Sequence, residues 1–98
     1  MSFRRKPFAQ LIERQLELVA LDDGDLLDDV DARRRDYASA DREDAEEAFG
    51  DYQLALEAWK DRLVEVRDAY AATLDDPEHY ERAFERAAAR RWPDVEAV

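Results

Sequence analysis

Between Ala45 and Thr73 the apolar residues keep a seven-residue beat. Phe49, Leu56, Leu63 and Tyr70 form one register; Ala45, Tyr52, Trp59, Val66 and Thr73 form the interleaved one. A repeat of seven with no charge on either register places one unbroken stripe along a helix, and such a stripe calls for another helix beside it. The side chains narrow the choice. Two-stranded coiled coils favour Ile, Val and Leu at the seam, whereas Phe, Tyr and Trp need the wider groove of three or four helices. The expected fold is all-α: a small antiparallel helical bundle of three to four helices with one long heptad-patterned helix.

The rest of the chain divides around that helix into a single domain over 1–98. Residues 1–6 form a basic arm. A helix over 7–21 opens with Pro7 in its first turn, where the missing N–H costs nothing, and buries Phe8, Leu11, Ile12, Gln15, Leu16 and Val19. Asp22-Asp23-Gly24 ends it, with Gly24 suited to a left-handed cap. A second helix over 25–38 starts at Asp25 as N-cap. Its seam is Leu27, Val30, Arg34 and Tyr37, with Arg34 anomalous on the apolar line. Asp29–Arg33 and Asp31–Arg35 are i,i+4 pairs in the favourable order. Carrying the seam onward would bury Asp41, and Ser39 is a good N-cap. A break near 39–41 is therefore favoured over one helix spanning 25–74. The long helix then covers 41–74, with Gly50 inside it as a sign that another helix comes close. Asp76-Pro77-Glu78 is a start signal for a helix over 77–92. Pro93 stops that helix, and 93–98 reads as a frayed tail.

Charge is lopsided. The chain carries 26 acidic and 15 basic residues, a net −11, and its basic residues are 13 Arg and 2 Lys. A GC-rich genome and a halophile's acidic, Lys-poor surface both produce this pattern. At ordinary salt, −11 opposes nucleic acid through phosphate repulsion; molar salt screens that repulsion. There is no Cys, so thiolate metal sites and disulfides are excluded. Arg4-Arg5-Lys6 looks like an export signal, but Glu13, Arg14 and Glu17 interrupt the apolar stretch that should follow. No run is long enough to span a bilayer, and the expected location is cytoplasmic.

No constellation for chemistry emerges. The aspartates at 22, 23, 25, 28, 29 and 31 miss the spacing of a calcium loop. His79 is the only histidine and has no Glu-x-x-His context. Ser2, Ser39 and Thr73 lie in no nucleophile motif, and Gly24 and Gly50 form no phosphate loop. No catalytic, cofactor-binding or metal residue is expected. The expected function is a non-enzymatic protein–protein interaction module (adaptor, regulator or small structural subunit), with a homodimer through the long seam. Its expected partner-binding residues are Phe3, Arg4, Arg5 and Phe8 at the N-terminal end, and Arg90, Arg91 and Trp92 after the last turns. The alternative is a nucleic-acid-associated protein. That reading requires Arg4, Arg5, Arg33, Arg34, Arg35, Arg90 and Arg91 to gather on one face.

Overall fold

The computed structural model describes residues 8–95. Four helices make up an all-α bundle: α1 (Ala9–Asp22), α2 (Gly24–Ser39), α3 (Ala45–Ala71) and α4 (Glu78–Arg91). No described residue lies in a strand. α3 is the spine. α2 returns alongside it as an antiparallel hairpin, so Tyr37 meets Phe49 beside the 40–44 turn while Asp23 meets Arg62 at the other end. α4 is also antiparallel to α3, with Tyr80 against Tyr70, Glu85 against Arg67 and Trp92 against Trp59. α1 packs on α4 and the later part of α3. The result is elongated, 58 × 30 × 21 Å.

The middle of the α3 stripe is in the core. Tyr52, Trp59 and Leu63 of the stripe are buried with Ala55 and Ala71 beside it, joined by Ile12, Leu16 and Val19 from α1, Val30 from α2, and Tyr80, Phe84, Ala87 and Ala88 from α4. Trp59 is 0% exposed and faces Trp92 edge-on at 5.0 Å. The short helices therefore cover most of the seam that was expected to be left for a second copy. Phe49 stays 41% exposed at the hairpin end beside Tyr37, 40%, and Thr73 lies exposed beyond the end of α3; Leu54, 65%, and on α1 Leu18, 46%, and Leu21, 78%, are exposed off the seam.

Several local expectations are corrected. Gly24 does not adopt a positive φ. It opens α2, and the corner between α1 and α2 is a single residue, Asp23, at φ −114° and ψ 36°. The Asp23 amide closes α1 on the Val19 carbonyl at 2.9 Å, and its carboxylate accepts from Arg62 Nε at 2.8 Å. The acidic corner is thus pinned to the spine by a cation instead of being capped by Gly, and Asp25 is not the N-cap. Asp31 pairs with Arg34, three residues on, instead of Arg35, whereas Asp29–Arg33 pairs at 3.4 Å. Ser39 ends α2 instead of capping α3, because its hydroxyl donates back to the Arg35 carbonyl at 3.0 Å. That back-bond competes with any capping role, and α3 begins only after the turn closed by Asp44 N–H to the Asp41 carbonyl. Gly50 faces open space: a Cβ there would meet nothing within 4 Å. Asp76 makes no cap, since Pro77 precedes α4 and its carbonyl accepts the first helical bond, from Glu81. Residues 93–95 are not frayed. Val95 is buried and bonds back to the Trp92 carbonyl. The expectations for Pro7 and for 96–98 fall outside the described residues.

Polar contacts tie the elements together. Arg67, largely buried, reaches Glu85 on α4 at 3.2 Å. Tyr80 donates to Gln15 Oε1 on α1 at 2.8 Å. Burial, only partly offset by that hydrogen bond, pushes the Tyr80 hydroxyl up from 10 to about 12. Below pH 10 both folded and unfolded chains keep this proton. Between 10 and about 12 the unfolded chain ionises while the folded one does not, so Tyr80 withdraws about 2–3 kcal/mol of stability across that window. Urea denaturation at stepped pH is expected to show this loss, and Tyr80→Phe to remove it.

Trp59 Nε1 is buried with no hydrogen-bond partner, a state that costs about 1–3 kcal/mol. Trp59→Ala should destabilise by about 3–5 kcal/mol and unfold so small a domain. Trp59→Phe should cost only about 1–2 kcal/mol, because losing the orphan N–H offsets part of the lost packing. Denaturation followed by far-UV circular dichroism separates the two; a folded Trp59→Ala protein would show that the indole is not a core element.

Candidate interaction surfaces

The residues after α4 wall an open cleft. Pro93 ends the helix, and the segment Trp92 to Val95 turns back over the junction of α2 and α3. Three contacts hold this strap. Trp92 packs on Trp59, Val95 buries its side chain, and Asp94 accepts a 2.6 Å hydrogen bond from the Tyr52 hydroxyl. Burial first, and then the bond to Asp94, raise the Tyr52 hydroxyl above its ordinary pKa; the Arg34 guanidinium, 3.5 Å away, opposes the shift. Arg34 also approaches Asp94 at 4.0 Å and lies 6.0 Å from the Tyr52 ring centre.

Strap, α2 and α3 enclose a cleft of ≈ 470 Å³. Leu27, Val30, Leu56 and the Trp59–Trp92 pair give it an apolar floor, and Arg34, Asp31, Arg91 and Asp94 stand around it. Arg91 lies over the Trp92 ring, 5.4 Å from its centre, a cation–π arrangement that holds both groups. Two expected partner-binding residues, Arg91 and Trp92, thus share one cleft, with Trp92 half-buried on Trp59 instead of standing free. Arg90 is on another surface, lining a groove between α1 and α4 with Arg86. Phe8 is further still. Its ring meets Tyr80 edge-on at 5.5 Å, at the start of α4, while Trp92 follows the end of that helix, about 21 Å along the axis. Phe8 also holds φ 68°, a left-handed conformation that costs an aromatic residue about 1–2 kcal/mol. Its carbonyl accepts the first α1 bond, from Ile12. Phe3, Arg4 and Arg5 lie outside the described residues.

Arg34, Asp94 and Val95 complete the cleft, with Tyr52 bonded to Arg34 and Asp94 behind them; of these four the sequence names only Arg34, for the nucleic-acid alternative. The one sequence signal was Arg34, a charge on the apolar line of its helix. Pairing α2 against α3 puts that charge beside Tyr52, and the strap brings Asp94 to it. The acidic cluster at 22–31 is dispersed by its own cations, Asp23 to Arg62, Asp29 to Arg33 and Asp31 to Arg34. Among the described residues no three acidic or histidine side chains converge as metal ligands. No described helix is long and apolar enough to cross a membrane. Comparison with known protein families, curated proteins and solved structures gives no match.

Tyr52→Phe removes the hydrogen bond that ties the strap to α3 while leaving the ring. It should cost about 1 kcal/mol and loosen Trp92. In a Trp59→Phe background Trp92 is the sole tryptophan, so acrylamide quenching reads it alone. Quenching is expected to rise with Tyr52→Phe; an unchanged value would mean that apolar packing alone seats the strap.

Proposed function

We propose that this chain is a non-enzymatic protein–protein interaction module that docks a partner at the strap cleft through helical and aromatic packing. The observation that carries the reading is Trp92 with Arg91 stacked over it, on a rigid Trp59 floor and beside Arg34. Tryptophan and arginine on a packed base are the residues that most often dominate binding energy at protein interfaces. The non-enzymatic part draws support from the hydroxyls. Ser39 and Thr73 donate to carbonyls of their own helical turns, at 3.0 and 2.7 Å, so neither is paired with a base.

A homodimer is the second partner proposed. With most of the seam covered internally, its apolar surface is the hairpin end, where Tyr37 and Phe49 are exposed in contact with each other. Nucleic acid is the less favoured partner, because the arginines divide. Arg33 sits among Asp36, Asp44, Glu47 and Asp51, Arg34 and Arg91 share the strap cleft, and Arg90 faces the α1–α4 groove. Phosphate binding requires cations that follow one backbone track.

Arg91→Glu tests the cleft, since the residue is exposed and its reversal leaves the core intact. In quantitative co-purification from the native cells, a protein captured by the wild-type chain should fall by about tenfold with the variant, the scale of one desolvated charge contact. Retention of the same proteins at the same level would remove the cleft as the docking site. Absence of any specific protein at both low and high salt would remove the interaction reading itself.

A further inference from the structure

We infer that the groove between α1 and α4 is a second docking site, for an acidic amphipathic helix of a partner protein. This rests on the reading of the chain as an interaction module but concerns a different surface. The groove has a volume of ≈ 300 Å³. Its floor is made of small residues, Ala9 from α1 with Ala83 and Ala87 from α4, over the buried Ile12. Side chains this short let another helix approach closely, and packing at such a floor follows the ridges-into-grooves geometry of helix pairs.

Charge selects the occupant. Ala83 and Ala87 form one i,i+4 ridge of α4, and Arg82, Arg86 and Arg90 form the neighbouring ridge. Like charges four residues apart destabilise a helix by a few tenths of a kcal/mol per pair. In a chain of net −11, carboxylates for neutralising that ridge are plentiful. They are not used: α4 carries three Glu and four Arg, and is the one described helix with a net positive charge. Arg82 lies at 3.9 Å from Glu78, but among the described residues neither Arg86 nor Arg90 has a carboxylate within 4.0 Å. The opposite wall offers Glu13. A helix lying in the groove with Glu or Asp toward α4 and an apolar strip on the alanines satisfies the arginine wall, with its acidic edge turned away from Glu13. From His79 to Arg90 the groove runs about 16 Å, room for about three turns of the incoming helix.

A second copy of this chain does not fit the same place by twofold symmetry. A twofold axis crossing the groove would set Arg86 and Arg90 against their own mates, and one running along it would leave only Glu13 of each copy for the two arginines of the other. The complementary surface is acidic, which points to a helix-in-groove mode with a foreign partner.

The experiment is selection from a displayed library of 18-residue helices. Each carries a common Ala/Leu face, and the positions flanking it are randomised among Glu, Gln and Lys. The target is the full chain, folded, at about 0.15 M salt, where surface charges within about 8 Å still interact. Enrichment of Glu along one flank is expected. Arg86→Glu with Arg90→Glu should weaken the selected peptides by about tenfold or more and, used as target, should turn the selection to Lys. Ala83→Phe should block both, with the circular dichroism spectrum unchanged. Enrichment of neutral or Lys-bearing helices on the wild-type chain overturns the proposal. So do acidic helices that bind the reversed variant equally well, or no enrichment at all. Each of these leaves the strap cleft to its own test, since Arg91 is not part of this groove.

Discussion

Covering Trp59 is the constraint around which the molecule is arranged. The indole is the largest group on the α3 stripe, is fully enclosed, and sits where coverage of the spine changes hands. α2 runs along α3 as far as the Asp23–Arg62 contact, the strap joins it from Tyr52, and α4 with α1 covers the spine beyond. No single short helix could cover 27 residues of spine. The seam is therefore shared among three, and Trp59 lies at the join. The C-terminal strap closes that join, with Trp92 supplying the last wall. This explains why a segment directly after a helix-ending proline is packed instead of frayed. Without it, apolar surface at the junction would face water, at roughly 25 cal/mol per Å².

The polar contacts set registration more than stability. Asp23–Arg62, Arg67–Glu85, Gln15–Tyr80 and Tyr52–Asp94 each join α3 or α4 to a different element. Pairs such as Asp23–Arg62 are partly open to solvent, and contacts of that kind contribute about 1 kcal/mol or less. Their effect is positional. The Asp23 corner meets the spine at Arg62, which decides where α1 ends and α2 begins. Register matters in a bundle whose stripe is continuous, because an apolar seam by itself tolerates sliding by a turn.

Function, on this reading, lies at the places where an acidic chain holds its cations. Most acidic groups face solvent, and several of the arginines are committed to pairs. Among the described ones without an ion pair, Arg91 is stacked on Trp92 at the strap cleft, and Arg86 with Arg90 lies beside the alanine floor of α4. Both combine apolar contact with local cations, set among Asp31 and Asp94 at the strap cleft and across from Glu13 at the groove. A chain with net −11 repels general anions at long range, so the acidic helix proposed for the α1–α4 groove would be held by local contacts alone. Such an arrangement favours selectivity over tight nonspecific adhesion.

Much of the fold was legible along the chain. Periodicity predicts helices wherever they occur, because burying one face of a helix requires apolar residues at helical spacing irrespective of neighbours. The bulk of Phe49, Tyr52, Trp59 and Tyr70 predicts a bundle instead of a two-stranded rod for the same reason. The ends of helices were less legible: Gly24, Ser39 and Asp76 carry cap preferences that go unused, because Arg62 holds the corner at Asp23 and Ser39 bonds back to its own helix. The site was legible only in part. Arg91 and Trp92 stand out as residues, but their partners Arg34, Tyr52 and Asp94 lie up to 58 positions away and meet only when α2, α3 and the strap are assembled. The sequence by itself therefore determined the helices, the stripe and the charge, since these depend on residue type and spacing. Which faces stay open, and which cations lie beside them, was decided by the tertiary structure, because that depends on how three short helices divide one long seam.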